Sequence, residues 1–212
     1  LIADTDENGH TTEYRYDAAG RMVRTLLPAV DGQVAEIVVE YDLAGRKIRE
    51  TDPLGAVTRY TYDAAGRLLS TEAPAVSGEP NAIVRTEYDA VGRKTAEIDA
   101  SGRSTRFGYD GLGRLILVVL PNPATGANPA LVNGSSPDAG TLTTRYAYDE
   151  VGNKIRQTDA EGRETRWEFD EMGRETARIL PGGEREEKRY NAAGELIEHT
   201  DFRGRVTRYT YD

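Results

Sequence analysis

Residues 57–67 read Val-Thr-Arg-Tyr-Thr-Tyr-Asp-Ala-Ala-Gly-Arg. The first six are mostly β-branched or aromatic, which suits the pleated surface of a β-strand. Asp63 then favours the first position of a type I turn, and Gly66 supplies the positive φ that leads the chain into the next strand. The segment therefore predicts a strand that ends in a hairpin turn.

The same aromatic-Asp-x-x-Gly pattern recurs along almost the whole chain. Successive spacings from Tyr16 to Tyr211 are 25, 21, 26, 21, 39, 21, 21 and 21 residues, which predicts an array of about eight repeats of a 21-residue unit over residues 1–212. The residues of this structural repeat motif are Tyr16, Asp17, Gly20, Arg21, Tyr41, Asp42, Gly45, Tyr62, Asp63, Gly66, Tyr88, Asp89, Gly92, Tyr109, Asp110, Gly113, Tyr148, Asp149, Gly152, Phe169, Asp170 and Gly173.

A second turn signal lies about half a period after the first. It recurs at residues 52–55, 99–102, 159–162 and 201–204, so one unit contains two strands and two turns. No window shows sustained helical spacing of apolar residues. We therefore predict an all-β fold of tandem β-hairpin repeats in a long antiparallel sheet. About 17 strands at ~4.8 Å each exceed what an open twisted sheet normally sustains without curling, so the sheet should curve.

The tyrosines predict a difference between the two faces of this sheet. All 12 occupy either the motif position or the position two residues earlier, as Tyr60 does, where Phe107 and Trp167 also lie. Side chains two apart share a face, so we expect an aromatic ladder on one side. The intervening residues are Arg, Thr and Glu, which predicts a hydrated opposite face with cross-strand charge pairs.

One long insertion interrupts the repeats at residues 122–141. Its Pro, Gly and Ser content is that of a loop, and it replaces a short second turn, so we expect an excursion from one rim of the sheet. Asn133, Gly134 and Ser135 form an N-glycosylation acceptor that has meaning only in a eukaryotic secretory context, and we interpret it as a chance match.

Composition excludes several functions. The net charge is −9 with interleaved signs, which argues against nucleic acid and against anionic membrane surfaces as partners. No apolar run approaches 18 residues, so no membrane insertion by this segment is expected. The absence of cysteine and the presence of only two histidines exclude disulfides, a thiol nucleophile and a His-rich zinc cluster. No cofactor is expected. The chain starts at Leu1 and stops in mid-pattern, which is typical of a fragment.

Candidate metal and catalytic residues have simpler structural interpretations. Residues 4–9 match the first six positions of an EF-hand calcium loop, but the twelfth position holds Arg15 instead of Glu, so a hairpin turn is favoured over a weak calcium site. His10 and His199 are interpreted as surface residues rather than catalytic groups. The repeated turn carboxylates resemble a glycosidase pair only superficially, because a catalytic pair is a singular arrangement. The repeated Gly-Arg steps favour salt bridges over anion recognition.

The run from Tyr62 to Leu68, Tyr-Asp-Ala-Ala-Gly-Arg-Leu, together with the second turns, resembles the Rhs/YD-repeat family. The resemblance covers the chain apart from residues 122–141. It implies a β-strip that spirals into a hollow shell, as in bacterial Rhs polymorphic toxins, in the C component of insecticidal toxin complexes and in related teneurin-type proteins. Asn153 and Glu195 replace the turn Arg and Asn191 replaces the motif Asp, which puts a charge pair in doubt but leaves the turn glycines.

This resemblance implies a non-enzymatic structural segment of a shell that encloses and helps deliver a C-terminal toxin. The expected partners are further YD repeats of the same polypeptide and the enclosed toxin domain, and the expected location is secreted or at a bacterial cell surface. No plug and no divergent toxin segment occur in these residues. The alternative is a cell-surface adhesion or recognition module that binds protein or glycan. A plug and a toxin domain beyond Asp212 would favour the shell, and a membrane anchor or adhesion domains there would favour the alternative.

Overall fold

The fold is described from a computed structural model that covers residues 2–30, 32–75, 79–129 and 141–212. The chain divides into two compact units, Leu1–Gly102 and Arg103–Asp212. The described residues form eighteen strands and no helix, which confirms the all-β prediction.

The first unit is an antiparallel meander in which each strand pairs with the next one along the chain. Its strands are β1 Ile2–Thr5, β2 Thr11–Tyr16, β3 Met22–Leu26, β4 Glu36–Tyr41, β5 Lys47–Thr51, β6 Val57–Tyr62, β7 Leu68–Ala73, β8 Ala82–Tyr88 and β9 Lys94–Ile98.

The second unit repeats this arrangement. Its strands are β10 Ser104–Tyr109, β11 Leu115–Leu120, β12 Leu142–Tyr148, β13 Lys154–Thr158, β14 Glu164–Phe169, β15 Glu175–Ile179, β16 Arg185–Tyr190, β17 Leu196–Thr200 and β18 Val206–Arg208.

The turn at Asp63 shows how the motif closes a hairpin. The Asp63 N–H donates to the Arg67 carbonyl and the Gly66 N–H donates to the Asp63 carbonyl, each at 3.0 Å. The side chain of Asp63 accepts the Arg67 N–H at 2.9 Å, which satisfies a donor that the turn would otherwise leave free. Gly66 has a φ of +84°, as the sequence predicted.

Each motif hairpin also contains a β-bulge that the sequence analysis did not predict. In the β6–β7 hairpin, Tyr62 pairs with Leu68 and Thr61 pairs with Ser70, so Leu69 is an extra residue without an opposite partner. The same register shift occurs in all eight motif hairpins. A bulge bends its strand and increases the local twist, so each repeat departs from a flat sheet at the same position.

Very few side chains are buried. Among the described residues, the buried aliphatic side chains are Val39, Ala96, Leu117, Val119 and Ala177. A packed interior of this size would not hold two layers together, and each unit is correspondingly a single sheet layer. Stabilisation must therefore come from contacts that run along the sheet.

Part of the insertion at 122–141 returns to the second unit. Asn122 begins a turn, with its side chain accepting the Ala124 N–H at 2.8 Å. Asn128 then accepts the N–H of Ser104 through its side-chain oxygen at 2.7 Å, and Pro129 is buried. This contact ties residues 122–129 to the start of β10. Residues 130–140, including the Asn133 acceptor, lie outside the described residues.

The turn geometry predicts the effect of replacing Gly66. Gly66→Val should lower the free energy of unfolding by ~1–3 kcal/mol, because a β-branched residue is strained at positive φ. The control is Arg59→Gln, since Arg59 is half exposed and lies 3.8 Å from Glu72, a pair of the kind that contributes about 1 kcal/mol or less. Urea unfolding would measure both variants, and equal losses would contradict the turn assignment.

Candidate functional site

The site that recurs along the chain begins, in most repeats, with an Asp and an Arg in the same turn. Arg46 donates its Nε–H to Asp42 Oδ2 at 2.7 Å, and the Asp42 Oδ1 accepts the N–H groups of Ala44 and Arg46 at 2.9 Å each. The Asp42 side chain is 22% exposed. The carboxylate thus fixes both the turn and the orientation of the guanidinium, which leaves the other donors of Arg46 directed outward from the turn.

Those remaining donors reach the following repeat. Arg46 Nη1 donates to the Asp63 carbonyl at 2.9 Å, and the Arg46 guanidinium lies over the Tyr62 ring at 5.0 Å from its centroid. The Tyr62 hydroxyl in turn donates to the Lys47 carbonyl at 2.7 Å. We call this set of three contacts, from one turn Arg to the next motif Tyr and back, an inter-repeat link.

Inter-repeat links with all three contacts recur in both units. They join Arg21 to Tyr41, Arg46 to Tyr62, Arg67 to Tyr88, Arg114 to Tyr148 and Arg174 to Tyr190.

The link between Arg114 and Tyr148 spans the long insertion. Arg114 Nη1 donates to the Asp149 carbonyl at 2.9 Å although the two residues are 35 apart in sequence. The insertion leaves from the second-turn edge of the sheet, whereas the links lie along the motif-turn edge. An insertion at the second turn therefore does not interrupt the series of links.

One link is replaced where two substitutions occur together. Asn153 replaces the turn Arg and donates its amide to Asp149 Oδ2 at 2.8 Å, while the next aromatic residue at the motif position is Phe169, which has no hydroxyl. Another cation–π contact lies at this junction, between Lys154 and Trp167. The Lys154 Nζ is 4.2 Å from the Trp167 ring centroid. The loss of the Arg and the loss of the hydroxyl thus fall in one junction.

At a second junction, Asn191 and Glu195 replace the Asp and the Arg of the turn. Asn191 Nδ2 donates to Glu195 Oε2 at 2.7 Å, and Asn191 Oδ1 accepts the Glu195 N–H at 2.9 Å. The Tyr211 hydroxyl still donates to the Leu196 carbonyl at 2.8 Å. The turn survives both departures from the motif because hydrogen bonds replace the charge pair.

Cations lie over the rings of the aromatic face, a contact that the sequence analysis did not predict. Lys47 Nζ, for example, lies 4.6 Å from the Tyr60 ring centroid. Exposed cation–π contacts contribute about 0.5–1 kcal/mol each. The sheet gains this contribution at both aromatic positions of the repeat.

The opposite face carries ion pairs, as predicted, and we call it the charged face. Arg49 Nη1 lies 2.6 Å from Glu40 Oε1 on the adjacent strand. Arg185 binds Glu168 with two nitrogens at 2.6 and 2.8 Å and thereby crosses β15, where Ala177 is fully buried. Long charged side chains thus cover the small residues of this single-layer sheet.

The turn hydrogen bonds lower the pKa values of the motif carboxylates. The Arg67 N–H and then the Arg67 guanidinium hold the pKa of Asp63 below its ordinary value of 3.8, against partial desolvation. In the second turn at residues 201–204, the N–H and the guanidinium of Arg205 lower the pKa of Asp201 to about 2. These carboxylates are therefore stabilised in the charged form by the folded turn.

The residues singled out for metal or catalytic roles have structural contacts. Asp6 Oδ1 accepts the N–H groups of Asn8 and His10 at 2.9 Å each, so residues 4–9 form the β1–β2 turn and its preceding strand end. His199 Nε2 lies 2.8 Å from Glu186 Oε1. In the described ranges, no group of three or more His, Cys, Asp or Glu side chains is placed to hold a metal ion.

The structure places the predicted motif residues along one edge of each unit and adds partners that the sequence analysis missed. The motif Asp and Tyr of one repeat meet the turn Arg of the preceding repeat. The repeated Gly-Arg arginines were assigned to salt bridges from the sequence, and only Arg21 was included among the motif residues; the contacts of Arg46, Arg67, Arg114 and Arg174 with the following repeat were not predicted. A signal was present in the sequence, because the repeat that replaces Arg with Asn153 is followed by the repeat that replaces Tyr with Phe169.

One family of known proteins shares this repeat pattern. The family model of the teneurin YD-shell matches residues 1–212. No curated protein sequence matches the chain. The described part of the chain contains no helix long and apolar enough to cross a membrane.

Three solved structures of toxin complexes are similar. The crystal structure of TcdB2-TccC3-TEV is 20% identical, with a TM-score of 0.63 over 94% of this chain and 12% of that chain. TcdB2-TccC3 without its hypervariable C-terminal region is 19% identical, with a TM-score of 0.62 over 99% of this chain and 12% of that one. A mutant Tc holotoxin pore from Photorhabdus luminescens is 20% identical, with a TM-score of 0.62 over 99% and 12%. The likeness shows the fold of a YD-shell segment, and the chain spans about an eighth of the length of these proteins.

Removing one hydroxyl should weaken a single inter-repeat link. Tyr62→Phe should lower the free energy of unfolding by ~0.5–1.5 kcal/mol, because it leaves the Lys47 carbonyl without its donor. Phe169→Tyr is the matched reverse change, which adds a hydroxyl where the chain lacks one. Chemical denaturation would measure both; no loss in Tyr62→Phe would show that the hydroxyl contact adds nothing to stability.

The lowered carboxylate pKa values predict acid sensitivity with a defined sign. Since the folded pKa values lie below the ordinary value of 3.8, their stabilisation is present above that pH and is lost as the pH falls toward about 2. The melting temperature should therefore fall between about pH 4 and 2. Asp63→Asn should melt lower at pH 7 and lose less on acidification; an unchanged acid response in that variant would contradict the assignment.

Proposed function

Because the chain belongs to the teneurin YD-shell family, we propose that it forms part of the wall of a hollow shell that encloses and helps deliver a toxin domain of the same polypeptide. The structural role as a shell segment follows from the family and from the fold. The enclosed toxin and its delivery are our inference, and the similar solved structures of toxin complexes support it.

The series of inter-repeat links is the observation that carries this proposal. Each link joins one repeat to the next along the same edge of the sheet, so the sheet lengthens by adding units rather than by enlarging a core. The bulge at the same position in every motif hairpin bends each repeat in the same way. A strip built by these rules suits a wall that curves around a space.

The proposed partners are further YD repeats and the enclosed domain. Within the described residues of the first unit, β1 pairs only with β2, and in the second unit β18 pairs only with β17. An unpaired strand edge readily accepts another strand. Further repeats of the same polypeptide would satisfy both edges.

We infer a non-enzymatic role, because the repeated carboxylates already serve the turns. Each motif Asp accepts backbone N–H groups and pairs with the Arg or Asn of its own turn, as Asp42 and Asp149 do. The toxin-complex neighbours favour a secreted bacterial protein. The alternative role of a cell-surface adhesion module requires a partner on an exposed face and needs no enclosed space.

The test is cryo-electron microscopy of the natural polypeptide that carries this chain, combined with limited proteolysis. A shell predicts a hollow wall with density inside it and a cargo domain that resists protease. The double variant Arg46→Ala, Tyr62→Ala should expose the cargo by weakening the wall, whereas Arg59→Gln on the charged face should not. An extended surface structure without a cavity, or equal digestion of the cargo in all three proteins, would favour adhesion.

A further inference from the structure

The two strands that join one motif hairpin to the next are held together at both ends. In the β5–β6 pair, the paired backbone residues lie next to the second turn. At the other end, beside the motif turns, Arg46 Nη1 donates to the Asp63 carbonyl at 2.9 Å. The Tyr62 hydroxyl donates to the Lys47 carbonyl at 2.7 Å. The backbone ladder therefore closes the second-turn end of a junction, and the inter-repeat link closes its motif-turn end.

The β13–β14 junction in the second unit has the ladder but lacks both hydrogen bonds of a link. Its paired backbone residues again lie next to the second turn. Asn153 uses its amide on Asp149 of its own turn, at 2.8 Å. Phe169 has no hydroxyl to donate to the Lys154 carbonyl. This junction is therefore closed at one end and lacks its link at the other.

The neighbouring junctions of the same unit are closed at both ends. Arg114 and Tyr148 link the β11–β12 junction. Arg174 and Tyr190 link the β15–β16 junction. The unlinked junction thus lies between two linked ones.

The β5–β6 junction is an internal reference for the effect of the missing link. Lys47 Nζ lies 4.6 Å from the Tyr60 ring centroid, and Lys154 Nζ lies 4.2 Å from that of Trp167, so both junctions have this cation–π contact. Both also have three paired residues in the ladder. The absence of the Arg and Tyr contacts is therefore what distinguishes β13–β14.

We propose that the β13–β14 junction is a hinge of the second unit, whose motif-turn end opens while its second turn stays closed. The second turn is a suitable pivot, because Asp159 accepts the Arg163 Nε–H at 2.7 Å and the backbone of the same two residues is hydrogen-bonded at 3.0 Å. A segment opens first where it has the fewest contacts. The inference rests on the links and is independent of the proposed toxin. In a wall, such a hinge lets the curvature change at one defined place.

Hydrogen–deuterium exchange of the 212-residue chain, followed by mass spectrometry, tests the hinge. Amides of the β13–β14 pair should have protection factors about tenfold lower than those of β15–β16, because two hydrogen bonds are absent. The double variant Asn153→Arg, Phe169→Tyr should supply the link and raise protection at β13–β14. The matched reverse variant, Arg174→Asn, Tyr190→Phe, should lower protection at β15–β16.

A distance measurement separates a hinge from a general loss of stability. The chain has no cysteine, so Leu112→Cys and Ala193→Cys can carry two spin labels at turn tips of the second unit. The tips are six strand spacings apart, about 29 Å at about 4.8 Å each, which electron paramagnetic resonance can measure. The distance distribution should be broad in the labelled chain and should narrow when Asn153→Arg and Phe169→Tyr are added.

Several outcomes would overturn the hinge. They are equal protection of β13–β14 and β15–β16, unchanged protection after Asn153→Arg with Phe169→Tyr, and a distance distribution that these two changes do not narrow. If that variant does not fold, the reverse variant decides the question. Wild-type protection of β15–β16 in Arg174→Asn, Tyr190→Phe, or a uniform loss of protection across the unit, also overturns the proposal.

Discussion

The turn arginine binds residues of two successive repeats at once, and the rest of the structure depends on this constraint. Its Nε–H is fixed by the Asp of its own turn, as Arg46 is by Asp42 at 2.7 Å, while its outer edge reaches the next repeat. A single sheet layer has almost no interior to bury, so the usual hydrophobic contribution is small. Hydrogen bonds and cation–π contacts along the sheet take over that role, each worth about 1 kcal/mol and repeated with every unit.

Because of this arrangement, the two edges of the sheet differ in how well they tolerate substitutions and insertions. The motif-turn edge carries the links and keeps its residue pattern, and where Arg is lost at Asn153 the turn keeps its shape through an amide. The second-turn edge carries no links, so it accommodates the insertion at 122–141 while Arg114 still reaches Asp149. Loop length can therefore vary at one edge at low cost, because closing a longer loop adds only about 0.6 kcal/mol per doubling of length.

The sequence predicts the parts of this fold that are local. Asp63 and Gly66 indicate the turn, and the alternation in Val57–Tyr62 indicates the strand and its two faces. The bulge at Leu69 was missed although two adjacent apolar residues, Leu68 and Leu69, break the alternation at that point. The Arg–carbonyl contacts could not be predicted, because the spacing of a repeat does not show which neighbouring carbonyl a long flexible side chain reaches.

A wall that is held together at one edge leaves its charged face free to change. The Glu40–Arg49 pair is exposed, and surface pairs of this kind contribute little to stability, so a hairpin with Ala147 opposite Arg156 loses little without it. Arg156 instead lies 3.5 Å from Glu164 on the neighbouring strand. Different residues of one repeat therefore have different parts in the structure: the turn Asp, Arg and Tyr maintain the sheet, and the charged face carries exposed ion pairs that vary from repeat to repeat.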